Sequence, residues 1–356
     1  MFLFHAITKR VTLQHVLIVI ALQLVIAGTS VAIVYHSSVS DTETWNGFIT
    51  EKYRDRVGCE HSYQCNCIEI CSTDSKGYTT CTETCSVCYE HSYDYDWVIK
   101  TSNDEKIKIS RVDSQGVNMP LRFQSAYIGE PTSIAHSYVN YIKAAPDTLF
   151  RRRGTTSEHY KIPEYPNVYD YYRQDRIINM SSRFQIDVKH WDKLNDTLNA
   201  VVGAPKQANI IMIFTDNEDS KYVQALEERW LGGKKNDIII TIGVSQDGKQ
   251  ASWVGVSAWT TKEIFKVKLR DHIREMPDIT DDVKMIQVIQ SDIEKYYERK
   301  PMADFEYLKS SITPTTTQWI LISVISIIIA TFSTFMLINH VPNRNSFNFR
   351  RYRRLM

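Results

Sequence analysis

The chain has 356 residues, a formal net charge of +1, and seven cysteines that all fall between Cys59 and Cys88. That length admits two domains beside any membrane segments. A near-neutral balance without a Lys/Arg stripe interleaved with aromatics excludes a nucleic-acid-binding surface.

In chain order, Lys9 and Arg10 precede an apolar run from about Val16 to Val34. The run reads as an uncleaved signal anchor over 16–35, with residues 1–15 cytoplasmic; a signal peptide cut near Ala27-Gly28-Thr29 is the alternative. A polar stretch from His36 to Thr50 follows. The cysteine region comes next, and strand-like segments at Trp97–Ile99, Lys106–Ile109 and Leu121–Ile128 extend it into a small β module over 36–145. Pro163 and Pro166, with Tyr160, Tyr165, Tyr169, Tyr171 and Tyr172, mark a connector over 146–185. Those tyrosines suit either a partner surface or packing.

The second half has α/β rhythm over 186–312. Trp191–Val202 is helix-like, Asn209–Phe214 is a buried-strand run, and Ser220–Leu231 returns to helical spacing. Gly232-Gly233 stops that helix. Strands at Asp237–Val244 and Ala251–Val256 flank a turn at Asp247-Gly248. Helices are expected at about Thr261–Glu275 and Asp282–Arg299. After a linker over 313–318, a charge-free run from Ile320 to Ile338 begins behind Trp319 and predicts a second span over 319–339. Arg344, Arg350, Arg351, Arg353 and Arg354 make 340–356 a basic tail, which marks a cytoplasmic side. Both termini are then cytoplasmic, and residues 36–317 face the periplasm or the cell exterior.

The cysteine region holds Cys59, Cys65, Cys67, Cys71, Cys81, Cys85 and Cys88, with His61 and His91 beside them. Glu60-His61-Ser62-Tyr63 recurs as Glu90-His91-Ser92-Tyr93, as if at the matched ends of a hairpin. The expected chemistry is a set of disulfides, because the compartment is oxidising and the segment is poor in apolar residues. Zinc is the alternative: Cys85-Ser86-Val87-Cys88 has knuckle spacing, and Cys65-Asn66-Cys67 or the histidines would complete the set. A redox-active Cys85/Cys88 pair is a third option. Seven is odd, so three bridges leave one thiol over.

The stretch from Trp191 to Arg274 resembles the TPM domain. The resemblance rests on Ile210-Ile211-Met212-Ile213-Phe214-Thr215-Asp216, on Ala225-Leu226-Glu227-Glu228-Arg229-Trp230-Leu231-Gly232-Gly233-Lys234-Lys235-Asn236-Asp237, and on the strand and turn that follow. It implies a module tethered outside a membrane, either an accessory subunit or an acid phosphatase. The fold class expected is thus α+β: two membrane helices flanking a Cys-rich β module and a TPM-like α/β domain. The phosphatase option would gather a divalent cation at Asp216, Glu218 and Asp219; the competing role for Asp219 or Ser220 is to cap the next helix. The family's glycine-rich turn is replaced here by Ser257-Ala258-Trp259, a departure that counts against catalysis. The cysteine module also resembles segments of uncharacterised bacteriophage membrane proteins. The functional expectation is a non-enzymatic binding or accessory protein without a cofactor. Its partners would be the lipid bilayer and a protein partner or a second copy of itself.

Overall fold

A computed structural model describes residues 13–73, 77–145, 156–170 and 173–340. The basic tail and part of the Tyr/Pro-rich stretch, with Tyr171 and Tyr172, lie outside the described residues. The chain divides into two compact units. The larger takes its described residues from Thr42–Tyr138 and Leu149–Pro301; the smaller takes its own from Met1–Asp41, Val139–Thr148 and Met302–Met356.

In the smaller unit, α1 (Leu13–Val39) and α8 (Thr316–His340) pack on each other. Both are long and apolar enough to cross a membrane. Their outward faces are bare hydrocarbon: Leu24 is 70% exposed and Phe332 63%. A core helix of a soluble protein would bury such side chains. With its amide turned to satisfy both groups, Gln23 donates to the Ser326 carbonyl and accepts from the Ala330 amide. The one amide side chain in the first apolar run therefore finds its partners on the second helix. The short helix α3 (Tyr141–Ala144) and a 3₁₀ segment (Met302–Ser311) complete this unit. Asp41 accepts from Asn140 at 2.8 Å and from Lys143 at 3.0 Å.

The larger unit holds two four-stranded sheets and a two-stranded arm. The first sheet contains β1 (Ser40–Val57), β4 (Asp94–Thr101), β5 (Lys106–Ile109) and β6 (Pro131–Val139), in the order β5-β4-β1-β6. Its core gathers Ile49, Trp97, Ile99, Ile107, Ile109 and Phe123. Two expectations change here. From Ser40 onward the polar stretch is strand, with His36–Val39 closing α1, because its polar groups are buried against partners: Asn46 is 1% exposed and donates to the Ala208 carbonyl at 2.9 Å. Leu121–Ile128 is not a strand; Leu121–Ser125 forms α2, entered at Pro120, and its Phe123 packs on Trp97 at 4.8 Å between ring centroids.

The second sheet has the order β10-β9-β8-β7, from β7 (Ile177–Asn179), β8 (Asn209–Thr215), β9 (Asp237–Val244) and β10 (Ala251–Ala258). β7, β8 and β9 run parallel, joined through α4 (Val188–Lys206) and α5 (Lys221–Trp230); β10 returns antiparallel to β9. Alternation along β8 explains the layers. Ile210, Met212 and Phe214 face a core shared with Leu198 of α4 and with α6 (Ile264–Arg274) and α7 (Asp282–Tyr296). Ile211 and Ile213 face Tyr222, Leu226 and Trp230 of α5. Asp187 caps α4 and Asp281 caps α7.

The Tyr/Pro-rich stretch packs on this second sheet. Tyr165 stacks edge-on against Trp230 and donates to Asp237, and Tyr160 meets Tyr222. A buried polar seam then joins the two sheets. Arg176, 1% exposed, donates to Asn46 Oδ1 at 2.6 Å, to Asn209 Oδ1 at 2.8 Å, to Asp196, and to Ser133 Oγ.

Candidate functional site

The arm is a hairpin of β2 (Ser62–Thr73) and β3 (Thr79–Tyr89). Its side chains are almost all exposed, including Tyr63, Ile68, Ile70, Val87 and Tyr89. A two-stranded hairpin without a core is marginal in water. Three nested disulfides brace it: Cys65–Cys88, Cys67–Cys85 and Cys71–Cys81. Cys71 and Cys81 sit directly opposite in register, while Cys67 lies where the register shifts between Cys65 and Ile68. Asn66 takes φ 48° at that shift, a left-handed conformation that Asn tolerates. The knuckle-spaced Cys85 and Cys88 pair with Cys67 and Cys65, so neither is a thiolate ligand, and they do not form a redox pair with each other.

Cys59 is the free cysteine. It sits at the base of the arm, where the two Glu-His-Ser-Tyr copies face each other. The Glu90 amide donates to the His61 carbonyl at 3.1 Å and closes the hairpin there. The base brings Cys59, His61, His91 and Asp94 together, with one ligand-capable atom from each inside a 4.8 Å sphere of mutual distance. Cys59 Sγ is 3.7 Å from His91 Nδ1 and 3.5 Å from the His61 carbonyl. His91 Nδ1 is 3.3 Å from Asp94 Oδ1, and His61 Nδ1 is 3.7 Å from Asp94 Oδ2.

Asp94 opens β4, paired with Val57 at the end of β1. Its side chain is fully buried, whereas His61 and His91 keep 42% and 25% exposure. Asp94 Oδ2 accepts from Arg111 at 2.9 Å and from the Glu60 amide at 3.1 Å. Burial alone would raise this carboxyl; the Glu60 amide, the Cys59 thiol and Arg111 outweigh burial and hold it below its ordinary value. Arg111 also grips Asp96, which Lys108 contacts at 2.6 Å. The sequence indicated Cys59 and both histidines but not Asp94. The signal available was spacing, with Cys59-x-His61 on one side of the arm and His91-x-x-Asp94 on the other.

The carboxylates after the first α/β strand are placed differently. Asp216 turns back onto the Ser181–Ser182 turn, accepting from Ser182 N at 2.8 Å, from Ser182 Oγ at 2.7 Å and from Ser181 Oγ. Burial would raise its carboxyl, but these hydroxyl and amide donors hold it below the ordinary value. Asp219 accepts from the Lys221 amide at 2.9 Å at the start of α5 and from Tyr160. Glu218, 75% exposed, accepts from Gln246. Among the described residues these three do not form a cluster of the kind found at the arm base.

An open cleft of about 800 Å³ lies beside α4, lined by Glu130, Tyr169, Arg173, Asp192 and Asp196 among others. Burial pushes Asp192 up to about 7, and Asp196 to about 6. Asp192 accepts from the amides of Arg176 and Ile177 at 2.8 and 3.2 Å, so its position is fixed by the entry of the chain into β7.

No family model, curated protein or solved structure matches the chain.

Proposed function

We propose that the chain is a two-span membrane protein that displays its disulfide arm and α/β layers outside the cytoplasm, as a non-enzymatic binding or accessory protein. The arm carries this reading. Nested disulfides along a hairpin with no core suit an oxidising compartment. The exposed Tyr63, Ile68, Ile70, Val87 and Tyr89 give that hairpin contact chemistry. Two apolar helices in one compact unit supply the anchor, and the Arg-rich 344–354 segment sets the termini inside. The resemblance to the TPM domain adds the expectation of a module tethered outside a membrane. Phage origin of the cysteine module rests on resemblance alone.

The test places a photo-crosslinking amino acid at Ile70 or Val87 in cells, with Val283 on α7 as an exposed control. An adduct of discrete mass from the arm and none from Val283 is expected; a doubled chain mass identifies a second copy as the partner. Adducts from Val283 alone contradict the reading. The phosphatase alternative requires metal-dependent phosphate release that disappears in Asp216→Ala. The capture of Asp216 by Ser181 and Ser182 weighs against it.

A further inference from the structure

We propose that the base of the arm is a zinc site built from Cys59 Sγ, His61 Nδ1, His91 Nδ1 and Asp94 Oδ1. One thiolate, two imidazoles and one carboxylate match zinc's ligand preferences. Zn–S, Zn–N and Zn–O bonds of about 2.0–2.3 Å place tetrahedral ligands about 3.3–3.6 Å apart. The separations at the base are 3.7 Å from Cys59 Sγ to His91 Nδ1 and 3.3 Å from His91 Nδ1 to Asp94 Oδ1. One ligand-capable atom from each of the four residues lies within 4.8 Å of the others, and His61 Nδ1 is 3.7 Å from Asp94 Oδ2, so side-chain adjustments of a few tenths of an ångström to about 1 Å complete the shell.

A second observation points to a ligand independently of the clustering. Asp94 is fully buried, yet its Oδ1 makes no hydrogen bond although it faces His91 Nδ1 across 3.3 Å, and the buried His61 Nδ1, 3.7 Å from Asp94 Oδ2, makes none either. Orphaned buried polar atoms of this kind cost free energy unless something satisfies them. Both belong to the candidate ligand set. Asp94 Oδ2, by contrast, is held by Arg111 and the Glu60 amide. That outer contact fixes the carboxylate plane and leaves Oδ1 facing the histidines, as outer partners do in metal sites.

Charge also balances. A thiolate and a carboxylate neutralise Zn²⁺, the thiol releasing its proton to solvent on binding, and each imidazole binds as the neutral tautomer with its proton on Nε2. The ion would tie residue 59 to residue 94, bracketing the whole arm. It would also explain how a seventh cysteine stays reduced beside three disulfides. The inference does not depend on the arm's having a protein partner.

Full-length protein purified in detergent without chelator tests it. Elemental analysis should return about one zinc per chain. Cys59 should resist a thiol reagent, react at least tenfold faster after a strong chelator, and be protected again by added Zn²⁺. Co²⁺ in place of zinc should give the intense visible bands of a tetrahedral thiolate site. His91→Ala should lower zinc affinity at least tenfold, with the three disulfides still intact by non-reducing mass spectrometry. The wild-type chelation measurement stands even where that variant misfolds. No zinc retained or taken up would overturn the proposal. So would a Cys59 whose reactivity ignores chelator, a Cys59 joined to a second chain by a disulfide, or unchanged zinc content in Cys59→Ser.

Discussion

Replacing Arg176 with methionine removes the charge that joins the two sheets of the larger unit while keeping much of the volume. Arg176 is 1% exposed and donates to Asn46, Asn209, Asp196 and Ser133. Removing one partner of a buried ion pair costs about 3–5 kcal/mol. Ser133 still donates to Asn46 Oδ1 at 2.9 Å, and the Asp196 side chain is 35% exposed, so water takes up part of the loss. The lower end, about 3 kcal/mol, is therefore expected, or roughly 6–12 °C in Tm for a unit of this size. Arg176 favours the ionised form of Asp196, so the deficit should grow as pH rises from 5 to 8. Arg176→Met with Asp196→Asn should recover part of it, because no unpaired charge remains. Thermal unfolding of the full chain in detergent, followed by circular dichroism at several pH values, reads all three effects. An Arg176→Met protein that melts within about 1 °C of wild type at every pH would refute the role given to this seam.

Three further outcomes follow from the same geometry. Cys71→Ser with Cys81→Ser removes the innermost of the three bridges, with ten residues of sequence separation; losing about 2–3 kcal/mol of local constraint should speed amide exchange over 68–73 and 79–84 by about 30- to 150-fold, leaving β8 and β9 unchanged. Gly203→Ala should destabilise by about 1–3 kcal/mol despite alanine's better helix propensity, since the new Cβ would lie 2.4 Å from the Asn46 carbonyl oxygen; an unchanged or higher Tm would contradict that approach. Burial raises Asp192 to about 7 and Asp237 to about 6. Raised carboxyls favour the folded state while protonated, so their contribution is complete below about pH 4 and fades as pH climbs through 6–7. Tm should rise as pH falls from 8 to 5.5, and Asp192→Asn should flatten the part of that slope near pH 7.

The α/β half was legible because its signals are local. Continuous apolar runs at 209–215 and 237–244 are what buried parallel strands require, and the glycines at 232 and 233 end α5 where expected. The disulfide character of the arm was legible from compartment and composition, but the nesting was not, since pairing depends on hairpin register and on the shift at Cys67. The start of β1 was hidden because Glu43, Thr44 and Asn46 look solvated in sequence; they are buried by partners more than ninety residues away, Asn46 donating to the Ala208 carbonyl and the Thr44 carbonyl accepting from Asn236. Leu121–Ser125 carries a strand-like composition, yet Pro120 and the packing of Phe123 on Trp97 favour one helical turn. Asp94 was not legible as a partner of Cys59, because the His91-x-x-Asp94 spacing gains meaning only when β4 pairs with β1 and brings Asp94 opposite Val57.

Thiol accessibility in cells measures the central claim, that the arm is oxidised and outside the cytoplasm. A membrane-impermeant maleimide is applied to intact and to permeabilised cells, with and without an impermeant reductant. Labelling of the arm cysteines in intact cells only after reduction is the predicted result. Arm cysteines labelled without reductant, and only once the membrane is opened, would place the arm in the cytoplasm and contradict it.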